Sequence, residues 1–201
     1  MSKNGTFLSI TNPIDGQSLN NIPNKHKILL YVARLEYGMK RFDRALRIWE
    51  RLYPIFPGWE FVVVGDGDYR THFEKLSCDR KIERIKFCGF QNPEPYFRDS
   101  SLLCLTSTTE GFGMVLVEAM QYGCVPVAYD SYTALSDIIE EGQNGYKVTA
   151  FKEDEFVKKL SSLMSDDMLR EKMAENSLKT PQKFDASIIA DQWIKLFESF
   201  S

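Results

Sequence analysis

Glu110-Gly111-Phe112-Gly113-Met114-Val115-Leu116-Val117-Glu118, continuing as Ala119-Met120-Gln121-Tyr122-Gly123-Cys124-Val125-Pro126-Val127, reads as a loop that becomes a helix that feeds a strand. Gly111 and Gly113 permit a tight turn and leave no Cβ between the backbone and a ligand. The apolar residues Phe112, Val115, Leu116, Ala119 and Met120 follow helical spacing. Gly123 ends that helix, and Val125 to Tyr129 forms a short buried strand. The backbone N–H groups left free at such a helix start suit a phosphate. Glu110 and Glu118, eight residues apart, flank that place. A charged carboxylate accepts strong hydrogen bonds from hydroxyls, so a phosphate site between two of them points to a sugar nucleotide. Spacing alone also allows a glycine-capped helix bracketed by two surface glutamates.

Outward from this stretch, strands alternate with helices. The apolar runs Ile28–Ala33, Trp59–Val64, Ile85–Cys88 and Leu102–Leu105 are strands, followed by Val125–Tyr129 and Tyr146–Val148. Helices are expected over about 42–55, 69–77 and 134–141, and throughout from Lys152 onward. Asp166-Asp167 caps one helix of that last region, and Pro181 interrupts before a final helix over 186–200. Asn92-Pro93-Glu94-Pro95 reads as a turn. The fold class is therefore α/β, a Rossmann-like parallel sheet of about six strands with helices on both faces. Ligands of such a sheet bind at the carboxyl ends of its strands. Arg34, Gly65, Gly89, Thr106–Glu110 and Asp130-Ser131 all fall there. Gly65-Asp66-Gly67 lacks the third glycine of a dinucleotide fingerprint, since Arg70 stands in its place.

The 201 residues suffice for one substantial domain. Apolar content of 43% and charged content of 26% are those of an ordinary globular protein, and a net charge of −3 argues against a nucleic-acid partner. No apolar run approaches bilayer-spanning length, and Met1–Thr6 lacks the apolar core of a signal peptide. Cys78, Cys88, Cys104 and Cys124 form no Cys-x-x-Cys pair and read as buried thiols of a reducing compartment. With His26 and His72 as the only histidines, both expected at the surface, no metal site is expected. Arg34 and Lys40 suit the charge of a diphosphate leaving group, the one as a fork and the other as a point charge.

Glu-Gly-Phe-Gly with a second Glu eight residues after the first, together with Arg34-Leu35 and Lys40, resembles the group 1, or family four, retaining glycosyltransferases of the GT-B fold. The resemblance spans roughly residues 10 to 200. It implies that Arg34 and Lys40 bind the donor diphosphate, although the gap between them is one residue longer than the commonest form and Arg41 follows Lys40. It implies that Glu118 holds the ribose hydroxyls and Glu110 those of the donor sugar, with nucleophilic attack by Glu110 as the other possibility. The backbone of Gly111, Phe112, Gly113 and Met114 would face sugar and phosphates, and the base would lie around Gly89 and Phe90. Transfer would proceed with retention and without a cofactor or metal, from a nucleoside-diphosphate sugar with a UDP-sugar as the default, in surface polysaccharide synthesis.

Asn12-Pro13-Ile14-Asp15 matches the junction between the two GT-B domains. The resulting division is a linker over 1–25, which includes an extended segment around Leu8, Ile10 and Ile14, a donor-binding domain over 26–184, and a C-terminal helix over 185–201. Trp193, Ile194, Phe197 and Phe200 of that helix would pack on an N-terminal domain outside this chain. That domain would bind the acceptor, a glycan or lipid-linked glycan, so the chain alone would bind donor without transferring sugar. The expected location is cytoplasmic, with the whole enzyme peripheral on the inner membrane face. A sugar-nucleotide epimerase and a non-catalytic sugar-nucleotide-binding module are the alternatives. A receiver domain is disfavoured because Arg34, Gly89 and Asp130 stand where it needs acidic, Asp and Lys residues.

Overall fold

The computed structural model describes residues 10–14 and 19–199. Leu8, Asp15 and Phe200, used in the reading above, lie outside them. Six strands form one sheet: β1 (His26–Val32), β2 (Glu60–Val64), β3 (Ile85–Gly89), β4 (Ser100–Leu105), β5 (Val125–Asp130) and β6 (Tyr146–Thr149). Their order is β3-β2-β1-β4-β5-β6, and every pairing is parallel. The helices are α1 (Phe42–Leu52), α2 (Arg70–Asp79), α3 (Glu94–Asp99), α4 (Met114–Met120), α5 (Leu135–Ile138), α6 (Glu153–Ser165), α7 (Asp167–Ser177) and α8 (Ala186–Glu198). A 3-10 turn over Pro181–Phe184 precedes α8.

The strands are apolar on both sides because both sides are covered. Leu29, Tyr31, Phe61, Val63, Leu102 and Cys104 point to a core shared with Trp49, Phe73, Phe156 and Leu160. Their neighbours Leu30, Val62, Val64, Leu103 and Leu105 point to a second core with Phe97, Leu116, Met120 and Ile138. This is the period-two alternation of a strand read on two buried faces.

Several boundaries differ from expectation. Asn92–Pro95 does not remain a turn but starts α3. Pro93 takes the N-cap, the Asn92 side chain accepts from the Glu94 N–H at 3.1 Å, and prolines at a first turn cost no helical hydrogen bond. The helix expected over 134–141 is only four residues long. Asn144 ends it by donating to the Ile138 carbonyl at 3.0 Å and accepting from the Glu140 N–H at 2.8 Å. Phe112 precedes α4 instead of joining it and packs edge-on against Phe184, with 5.2 Å between ring centroids. Cys78 is exposed on α2, whereas Cys104 and Cys124 are buried and Cys88 is half-buried; all four are free thiols. Burial pushes the Cys124 thiol up to about 12.

Of the two caps near the C-terminal end, that of Asp166 is as expected, and that of Asp185 is additional. The Asp166 carboxylate accepts from the Leu169 N–H at 2.9 Å, and Asp185 accepts from Ser187 at 2.8 Å. Ile14 lies alongside the start of α8, its N–H bonded to the Phe184 carbonyl at 2.8 Å. Trp193, Ile194 and Phe197 of α8 are exposed. Among the described residues no helix is long and apolar enough to cross a membrane.

Candidate functional site

Strand order reverses direction between β1 and β4, so the loops leaving these two strands diverge and open a crevice at the carboxyl edge. Lys40, from the loop after β1, and Glu110, from the loop after β4, meet across it. The Lys40 Nζ donates to both carboxylate oxygens of Glu110 at 2.7 Å. The Ser107 hydroxyl adds a 2.6 Å bond to Glu110 Oε1. Glu110 is 10% exposed and Lys40 27%, so the pair is partly shielded from water.

Backbone geometry holds the two loops together. Thr106 Oγ1 donates to the Arg41 carbonyl at 3.0 Å, and the Thr108 N–H donates to the Met39 carbonyl at 2.8 Å. The Tyr31 hydroxyl donates to the Lys40 carbonyl at 3.0 Å. Within the first loop, Glu36 Oε1 accepts from the N–H groups of Met39 and Lys40 at 3.1 and 3.2 Å. Arg41 takes a left-handed conformation, φ 48°, and makes a two-pronged pair with Asp43 at 2.8 and 2.9 Å. Lys40 thus faces the crevice, and Arg41 is paired with Asp43.

Arg34 lies at the edge of a cavity of about 720 Å³ at the ends of β1 and β2. Val32, Ala33, Val64, Gly65 and Phe90 line it. The Phe90 ring is 86% exposed, so its face is free for stacking. Arg34 is 61% exposed and pairs with the exposed Asp68 at 3.1 Å, a contact that little opposes its rotation toward a ligand. Gly65, at φ 142°, is required: a Cβ there would lie 2.0 Å from the Ala33 carbonyl oxygen. Gly89, at φ 73°, receives the Gly65 N–H on its carbonyl at 2.8 Å.

Gly113 is the N-cap of α4, at φ 90°, and Met114 is its first helical residue. Gly111 stands in open space two residues earlier, where an added Cβ would meet nothing within 4 Å. Glu118 is half-buried on the same helix. Its carboxylate has no hydrogen-bond or ion-pair partner among the described residues, and burial raises its pKa above the ordinary range. Among the described residues no group of three or more His, Cys, Asp or Glu side chains is placed to hold a metal ion.

Comparison with known proteins places this architecture. The family described as "Glycosyl transferases group 1" matches residues 17–180. The chain belongs to the group 1 glycosyltransferases. It is 30% identical over 173 residues to the amylovoran biosynthesis glycosyltransferase AmsD of Erwinia amylovora, covering 84% of this chain and 47% of AmsD. A TarM variant of S. aureus, solved with Fondaparinux, alpha-GlcNAc-glycerol and UDP, superposes with a TM-score of 0.87 at 24% identity. That match covers 98% of this chain and 40% of TarM. HepE of Anabaena, solved with UDP-glucose, superposes with a TM-score of 0.76 at 26% identity, over 87% of this chain and 49% of HepE. The fold is that of the C-terminal domain of GT-B glycosyltransferases. This group 1 chain spans about half the length of the curated relatives it matches.

Every site residue expected from this group 1 sequence lies at the carboxyl edge of the sheet or on α4. Among the described residues, Lys40 and Glu110 are the expected site residues whose side chains bond to each other. Arg34 and Phe90 line the neighbouring cavity together. Sequence reasoning placed Thr106 and Ser107 at this edge without giving either a partner, and it missed Glu36 and Tyr132. Nothing local marks Tyr132, which reaches the site only through the β5 crossover.

Proposed function

We propose that this chain is the donor-binding domain of a retaining glycosyltransferase that takes a nucleoside-diphosphate sugar, a UDP-sugar, and transfers the sugar to a glycan hydroxyl in surface polysaccharide synthesis. The carrying observation is the Lys40–Glu110 pair across the crevice between β1 and β4. A lysine ammonium has three donors. Two are spent on Glu110, leaving one for a phosphate oxygen without breaking the pair. Arg34 supplies a second cation from the cavity edge, and together they neutralise charge as the diphosphate departs. No metal is needed for that task.

A carboxylate already receiving an ammonium and a hydroxyl is a poor nucleophile. Glu110 therefore serves better as a fixed acceptor for sugar hydroxyls than as an attacking group. Glu118 lacks a partner among the described residues, and ribose hydroxyls would supply one. The apolar cavity beside Phe90 suits a planar base stacked on the ring. The HepE complex with UDP-glucose and the role named for AmsD support the donor and product classes. Acceptor binding and transfer belong to the whole enzyme, which sits at the inner membrane face in this reading.

Titration calorimetry with UDP tests the proposal. UDP binds in the presence and absence of EDTA, and Arg34→Ala weakens it without lowering Tm. Absence of UDP binding, or its loss on chelation, overturns the reading.

A further inference from the structure

Tyr132 follows β5 and points back under the Gly111–Gly113 turn. Its hydroxyl oxygen lies only 2.4 Å from where a Cβ on Gly113 would stand. That oxygen is closed off from solvent and has no hydrogen-bond partner among the described residues. A buried polar atom without a partner destabilises the protein that carries it, so such atoms are rare in folded proteins. The surroundings identify what it would meet. Burial, together with the negative charges of Glu110 and Asp130, keeps the phenol protonated, as a hydrogen-bond donor. The base cavity beside Phe90 is lined by other loops and does not include Tyr132. Gly113 lies against the hydroxyl, and Gly111, two residues earlier in the same turn, has open space around it.

We infer that Tyr132 is a sugar-reading residue of the donor site: a ligand seated on the turn shifts it, and the Tyr132 hydroxyl then donates to an oxygen of the sugar portion. This rests on the donor-site reading above. The inference explains why position 113 carries glycine beyond its backbone angle, since any side chain would occupy the place of the hydroxyl.

The test compares wild type with Tyr132→Phe, using UDP, UDP-glucose and UDP-N-acetylglucosamine as probes in calorimetry, and thermal unfolding of the unliganded chains. Removing a partnerless hydroxyl leaves Tm unchanged or higher. Affinity for the sugar nucleotide that gains most from its sugar falls roughly 3- to 10-fold, the usual worth of one hydrogen bond, while affinity for UDP stays the same. Equal sugar-nucleotide affinities in the two proteins overturn the inference, as do an equal loss for UDP, a lower Tm, or no gain from either sugar in wild type. If wild type does not bind UDP at all, the donor-site reading fails first, and independently of Tyr132.

Discussion

Substituting Lys40 by Met separates the structural from the binding role of the ion pair that spans the crevice. The ammonium sits 2.7 Å from both oxygens of a carboxylate that is 10% exposed. At an effective dielectric of about 20, unit charges at that distance attract by about 6 kcal/mol. Withdrawing both ions from water offsets most of that gain, so the pair as a whole adds little over neutral neighbours. Removing only the lysine is different. Glu110 would keep Ser107 as its donor but remain a shielded, uncompensated charge. Full burial would cost about 3–5 kcal/mol; the 27% exposure of the lysine position lets water return, which lowers the expected cost to roughly 2 kcal/mol. Glu110→Gln alone costs about 1 kcal/mol, because a mobile ammonium rehydrates more readily than the carboxylate. The double variant, with neither charge, costs no more than Lys40→Met. Urea unfolding at neutral pH reads all four proteins, with midpoint shifts of about 1 M for the largest effect. Calorimetry on the same proteins shows weaker UDP binding in every variant that lacks Lys40. Additive costs, within about 0.5 kcal/mol, would refute the reasoning, since the two groups would then not be coupled across the loops.

Two further outcomes follow from neighbouring residues. Burial raises the Glu118 pKa in the folded state, so its ionised form costs stability once pH passes that value, and below the unfolded pKa the cost is absent; Glu118→Gln therefore raises Tm at pH 7 with no gain near pH 3, while UDP binding weakens by about 1–3 kcal/mol and 2′-deoxy-UDP shows little additional loss in the variant. Gly65→Ala combines φ 142° with a Cβ only 2.0 Å from the Ala33 carbonyl and lowers stability by more than about 2 kcal/mol in thermal unfolding, whereas Gly111→Ala, in open space, stays within about 1 kcal/mol.

The sheet and its active edge were legible in the chain because their signals are local. Apolar runs of strand length recur between amphipathic helices, and a parallel sheet puts every strand's carboxyl end on one edge. Arg34, Gly89 and Glu110 could thus be assigned to a common edge before any distance was known. Asp166 and Pro181 were equally readable, since a cap and a proline act on their own segment. The short α5 and the helical start at Pro93 were not, because long-range or side-chain hydrogen bonds decided them: Asn144 reaches back to Ile138, and Asn92 caps Glu94.

Tertiary structure alone decided which charges meet. Lys40 and Arg41 are adjacent and alike in sequence, yet one faces Glu110, seventy residues away, and the other Asp43, two residues away. Their directions depend on the left-handed turn at Arg41 and on Thr106 gripping its carbonyl. The same holds for Tyr132. Its position under Gly113 comes from the crossover through α4 that brings the ends of β4 and β5 side by side, and no local pattern of residues encodes that neighbour. Periodicity and turn chemistry act over a few residues and shape the frame; the chemistry at its edge depends on which loops the strand order places together.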